Sequence, residues 1–237
     1  MDTHRLQHGW SKTAMKKFLF YLLIVVSLPG CTAGSKATGN AKLPKPYDYW
    51  FFNFAYPKAL PAEVTYAEVL DREGYYYQFR MLDGTNPRNK SIGRWKEPVG
   101  GTDSSLNKVN DPPRFIHFCW DSIIDKKVYE TEIAFNSRID SMMLTASPPV
   151  PHVTDPLYFR FMVIGLAPEG KVRVWLENDV HNYIRLSDLP ARDFKIKTVS
   201  GSQLKMCKGV TYFGDGYEYI DETINFIKGK KYPYGEW

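Results

Sequence analysis

The sequence predicts an α+β protein that is predominantly antiparallel β, a sandwich-like sheet arrangement with one or two packed helices. Three observations point there. Aromatic residues make up 15% of the 237-residue chain and include sixteen tyrosines, and Tyr, Phe and Trp favour strands. Short segments with a period of two alternate with Gly- and Pro-bearing turns, as in β-hairpins. Only two stretches carry the 3.6-residue period of a helix packed on one face.

The chain opens with an export signal. Lys16 and Lys17 precede the apolar run Phe18-Leu19-Phe20-Tyr21-Leu22-Leu23-Ile24-Val25-Val26, and Leu28-Pro29-Gly30-Cys31 closes it. The run is shorter than the roughly 20 apolar residues that span a bilayer. It fits the h-region of a cleavable signal peptide over residues 1–30. Met15 reads as the start, which places residues 1–14 upstream of it. Gly30-Cys31 ends a lipobox, so Cys31 is the expected lipidation site. Thr32, a non-Asp residue after the lipidated Cys, directs a bacterial lipoprotein to the outer membrane. Diacylglycerol plus an amide-linked acyl chain satisfies the two-signal requirement for stable anchoring. The expected location is the outer membrane, facing the periplasm, with the membrane as one partner.

Residues 31–46 are rich in Gly, Ser, Ala, Lys and Pro and read as a flexible lipidated tether. Residues 47–237 form the expected single β-rich domain, and 207 residues from Cys31 onward suffice for one sizeable core. The formal charge is +5. Residues 1–30 contribute Arg5, Lys12, Lys16 and Lys17 against Asp2, a net +3, which leaves +2 for the mature chain. The basic pI is largely the export signal, and no basic stripe supports a nucleic-acid partner.

The elements follow in order. Residues 47–54 are aromatic on both faces and predict a buried first strand. Residues 63–70 and 75–82 alternate around Asp71-Arg72-Glu73-Gly74, which makes a hairpin with Gly at the turn. Residues 83–113 hold four glycines, four prolines and four asparagines. A polar excursion of that length is functional or disordered. Trp95 stands alone within it, either as an exposed contact residue or as a ring that pins the loop to the body. Arg88, Lys90, Arg94 and Lys96 surround it, so Trp95, Arg88, Arg94 and Lys96 are the candidate partner contacts.

Residues 114–120 and 127–135 predict the next two strands, with Tyr129, Thr131, Ile133 and Phe135 sharing one face. Asn136 or Ser137 can cap a short helix to about residue 145, with Ile139, Met142 and Met143 at helical spacing. Residues 157–166 and 171–176 make a hairpin around Ala167-Pro168-Glu169-Gly170, where Pro pre-sets φ and Gly tolerates the left-handed region. Residues 183–186, 194–199 and 209–213 are weaker strands. Residues 217–228 predict a terminal helix whose apolar stripe is Ile220, Ile224 and Ile227.

Two motifs carry a family resemblance. Phe118-Cys119-Trp120-Asp121-Ser122 is followed by Tyr129. Later comes Gly165-Leu166-Ala167-Pro168-Glu169-Gly170-Lys171-Val172-Arg173-Val174-Trp175. With the lipobox, they resemble the small bacterial lipoproteins catalogued as domain-of-unknown-function family 2931, over residues 50–186. The motif residues look structural: turn Gly, strand Val and core Trp. The resemblance implies a lipoprotein encoded beside a type VI secretion phospholipase effector and acting as its immunity partner. It carries no catalytic residue.

Apart from Cys31 the chain has two cysteines, Cys119 and Cys207. An even pair in an oxidising compartment points to one disulfide, with two separate buried thiols as the alternative. There is no Gly-x-Ser-x-Gly elbow. His117, His152 and His181 lack His-x-x-x-His spacing, so zinc would need long-range assembly. His117 reads as a hydrogen-bonded core residue. Asp121, Asp125, Asp155 and Glu177 read as solvated or turn-forming. The expectation is no enzyme, no cofactor and no metal, but a binding protein whose partner is a phospholipase toxin. An outer-membrane structural or assembly lipoprotein is the alternative.

Overall fold

The computed structural model describes residues 45–88, 91–95, 105–213 and 216–237. The signal peptide, Cys31, the tether up to residue 44, Lys90 and Lys96 lie outside them.

The strands are β1 (Trp50–Pro57), β2 (Ala62–Asp71), β3 (Tyr76–Phe79), β4 (Asn86–Arg88), β5 (Lys108–Val109), β6 (Pro113–Ser122) and β7 (Lys127–Phe135). After helix α1 (Ser137–Leu144) come β8 (Phe161–Ala167), β9 (Lys171–Glu177), β10 (Tyr183–Arg185) and β11 (Phe194–Ser200), and then helix α2 (Asp221–Ile227). They build two sheets. One runs β10-β9-β8-β1-β4, with β5 also on β1; the other runs β11-β7-β6-β2-β3. The sandwich-like α+β arrangement is therefore what the chain forms.

The period of two decides which residues lie between the sheets. Trp50, Phe52 and Phe54 of β1 meet Val69, Phe118, Trp120 and Ile133 in one buried cluster. Phe54 and Phe118 rings are 5.0 Å apart, and Phe52 and Phe79 rings 5.1 Å, one from each sheet in both pairs. Each such ring contributes about 1.5–3 kcal/mol by leaving water. The 167–170 turn places Glu169 at φ 67° and Gly170 at φ 70°. A β-carbon on Gly170 would lie 2.6 Å from the Tyr129 ring, so the turn needs its glycine.

Asn136 caps α1, its side chain accepting from the Arg138 amide at 2.9 Å, and Ile139 and Met143 are fully buried. Three details differ from expectation. First, β1 pairs in parallel with both β8 and β4, because the chain crosses to the other sheet before returning to either side of it. Second, residues 209–213 form no strand; the Thr211 hydroxyl and the Tyr212 amide go instead to the Asp121 side chain of β6. Third, α2 spans only two turns, and Ile220 and Ile224 stand 58% and 48% exposed. The packed stripe is rotated to Thr223, Phe226 and Ile227.

Candidate functional site

The predicted contact residues do not form one surface. Trp95 is only 5% exposed. Its ring lies against Trp175 and Trp237, with centroids at 5.3 and 5.6 Å. Gly165 makes the space: a β-carbon there would come within 2.4 Å of the Trp95 ring. Trp95 thus pins its loop to the outer face of the first sheet and does not offer its ring to a partner. Arg88 is also buried, so it is not a contact residue. Burial pushes its pKa down and the nearby Glu177 carboxylate pulls it back up. Arg94 is exposed but paired with Glu236 at 2.7 Å.

A denser site lies on the outer face of the second sheet, where the sequence singled out His117 as a hydrogen-bonded core residue, Cys119 as half of a disulfide and Asp121 as solvated or turn-forming. On β6, His117, Cys119 and Asp121 point away from the core residues Ile116, Phe118 and Trp120. Across from them are Glu68 of β2, in register with His117, and Glu130 of β7, in register with Cys119. All five are buried. The segment after β11, residues 201–213 and 216–220 among those described, lies over Cys119, Asp121 and Glu130 as a strap.

Three attachments hold the strap. Cys119 and Cys207 form a disulfide. Glu130 Oε2 accepts the backbone N–H groups of Lys205, Met206 and Cys207 at 2.7, 3.1 and 3.1 Å. Asp121 Oδ2 accepts the Thr211 hydroxyl at 2.8 Å and the Tyr212 amide at 2.6 Å, while Tyr217 donates to Oδ1 at 3.2 Å. A buried carboxylate needs such donors to offset lost hydration. The strap amides need acceptors because they form no ladder. Each solves the other's problem.

His117 lies between two carboxylates. Its Nε2 is 3.1 Å from Glu130 Oε1 and its Nδ1 is 3.6 Å from Glu68 Oε2. Burial works to raise the pKa of both acids. In Glu130 the strap amides and His117 outweigh it, and in Glu68 the Tyr66 and Tyr76 hydroxyls and His117 do, so both sit below the usual carboxylate range. The network then reaches the surface. Tyr66 donates to Glu68 Oε1 at 2.5 Å, and exposed Gln78 donates to Tyr66 at 2.9 Å and to Tyr76 at 3.4 Å. Tyr75, Tyr76 and Met81, along the edge strand β3, are 66%, 55% and 75% exposed.

The motif residues now have places. Trp120 stacks on Tyr129 at 4.7 Å, and its indole donates to Thr131 Oγ1 at 3.0 Å. Gly165 and Trp175 build the pocket that receives Trp95. The profile of the family described as "Protein of unknown function (DUF2931)" matches residues 36–235. The chain belongs to this family. The DUF2931 match runs beyond residue 186, where the motif resemblance stopped, and includes the whole strap and α2. No curated protein and no solved structure matches the chain. The strap site is therefore a feature within the DUF2931 region itself.

Glu130→Gln tests this arrangement. It keeps the size but removes the charge that three amides and His117 share, and is expected to cost about 2 kcal/mol. The pH dependence has a definite sign. With its folded pKa below the ordinary 4.5, Glu130 stabilises the fold above pH 4.5, and this is lost as pH falls through the folded value. Melting temperature measured from pH 6 to pH 3 should drop less steeply in the variant. Parallel curves would contradict this account.

Proposed function

We propose that this chain is a lipid-anchored binding protein of the bacterial outer membrane, facing the periplasm, that occludes a type VI secretion phospholipase toxin as its immunity partner. The observation that carries the reading is the tyrosine edge: Tyr66 and Tyr76 held by Gln78 and Glu68, with Tyr75 and Met81 beside them. Tyrosines are favoured interface anchors, and side chains already fixed lose less entropy on binding. His117 supports binding rather than catalysis, because both its ring nitrogens face carboxylates below the surface. The lipobox and the family resemblance supply the compartment and the class of partner. Anchoring through Cys31 concentrates the protein at the membrane the toxin attacks.

The test uses cells that make, in the periplasm, the phospholipase encoded beside this gene. The wild-type chain should restore growth, and Cys31→Ala, which cannot take a lipid, should protect less. The paired variant Tyr75→Ala/Met81→Ala, which leaves the Glu68 network intact, should weaken toxin binding by about 2 kcal/mol or more with its melting temperature unchanged. Growth arrest that the wild-type chain does not relieve would sink the reading.

A further inference from the structure

The buried end of the strap site has a second use. The metal-binding atoms of His117, Glu130 and Cys207 all lie within 4.8 Å of one another, and Cys119 is joined to Cys207. We propose that, with the Cys119–Cys207 disulfide reduced, these four residues bind one thiophilic divalent cation of the zinc class, and that cation and disulfide are alternative staples for the same strap.

Two thiolates, one imidazole and one carboxylate form a zinc donor set. The fold brings them together from three places in the sequence. His117 and Cys119 are two residues apart on β6 and share its outer face. Glu130 is in register with Cys119 on β7. Cys207 is held beside them by its own amide, which donates to Glu130 Oε2 at 3.1 Å, a contact that does not need the disulfide.

A separate observation points the same way. Histidine ligands of metals commonly give their other ring N–H to a carboxylate, which fixes the tautomer and orients the ring. Here Nε2 faces Glu130, another member of the donor set, at 3.1 Å, and Nδ1 faces Glu68 at 3.6 Å. Glu68 is itself fixed by Tyr66. Glu130 is oriented likewise, its Oε2 held by three amides while Oε1 faces His117. Both non-sulfur ligands thus already have their supporting partners. The step balances simply. A phosphine takes the two-electron oxidation and the oxygen of one water, becoming the phosphine oxide, while that water's two protons go to the sulfurs as the disulfide becomes two thiols. On metal binding both thiols release their protons to solvent. His117 releases to solvent the Nε2 proton that otherwise points at Glu130 Oε1, gives the metal that lone pair, and keeps its proton on Nδ1, toward Glu68.

The experiment uses residues 31–237 reduced with a phosphine and desalted under inert gas, then titrated with Co²⁺ and afterwards Zn²⁺. One equivalent of Co²⁺ should give the visible bands of a tetrahedral thiolate complex, and Zn²⁺ should abolish them. The oxidised protein should give none. His117→Gln and Cys207→Ser should abolish or strongly weaken binding. Glu68→Gln should weaken it about 10- to 100-fold without changing the number of sites. Glu132→Gln, a neighbour outside the donor set, should bind like the wild type. Hydrogen exchange should show amides 205–212 losing protection on reduction and regaining it with Zn²⁺. The proposal is overturned if the reduced chain takes up no metal, if His117→Gln binds equally well, or if the reduced chain is unfolded and Zn²⁺ does not refold it.

Discussion

Trp95→Ala is expected to lower the unfolding free energy by about 3–5 kcal/mol, as large aromatic truncations do, while leaving affinity for the proposed toxin partner unchanged. The side chain fills a slot between Trp175 and Trp237 over Gly165. The floor of that slot is glycine backbone, which has nothing with which to fill the space. The same ring packs against Trp237 at 5.6 Å, beside the backbone bonds from the Trp95 amide to Glu236 O at 3.3 Å and from the Glu236 amide to Gly93 O at 2.8 Å. Trp95→Phe should cost less, because it keeps most of the apolar contact and removes an indole N–H that has no partner among the described residues. Chemical denaturation of both variants, with toxin affinity measured alongside, decides the matter. Full stability with lost affinity would return Trp95 to the interface.

Removing the disulfide has an effect of similar size. Cys119 and Cys207 are 88 residues apart. In the chain-entropy account, closing a loop of that length stabilises the fold by about 4.5 kcal/mol. Cys119→Ala/Cys207→Ser should lose about that much, measured with a chelator present so that no metal substitutes for the bridge. The strap should loosen before the sheets do, because the cradles at Glu130 and Asp121 then hold it alone. Hydrogen exchange should therefore rise first at amides 205–212. A melting temperature that reductant does not move in the wild-type protein would rule the bridge out as a staple.

The parts legible in the sequence were those set by local pattern. Alternation in residues 63–70, 114–120 and 127–135 marked strands of one sheet, and Asn136 marked the start of α1. The pairing of β1 with β8 was not legible, because parallel neighbours need no turn between them. Asp121, Glu68 and Glu130 were missed for a related reason. A charged residue alternating with Phe118 or Thr131 looks solvent-facing, and only the strap, nearly eighty residues further along for Glu130, makes that face interior. A hint was present: His117 and Cys119 also lie on the polar side of β6, and neither belongs on an open face. In α2 the isoleucine spacing was correct as a helical period but chose the wrong stripe, since Thr223 faces inward.

The central position of β1 sets an order of events during synthesis. Trp50, Phe52 and Phe54 emerge early, yet their ladder partner Phe161–Ala167 follows more than a hundred residues later. Strands β2, β3, β6 and β7 are antiparallel and closer in sequence, so that sheet can pair first. Until residue 167 is available, the β8 side of β1 is an unpaired edge rich in aromatic residues, the kind of segment that draws aggregation or a chaperone. A chain truncated before β8 should therefore be insoluble even though one sheet is nearly complete.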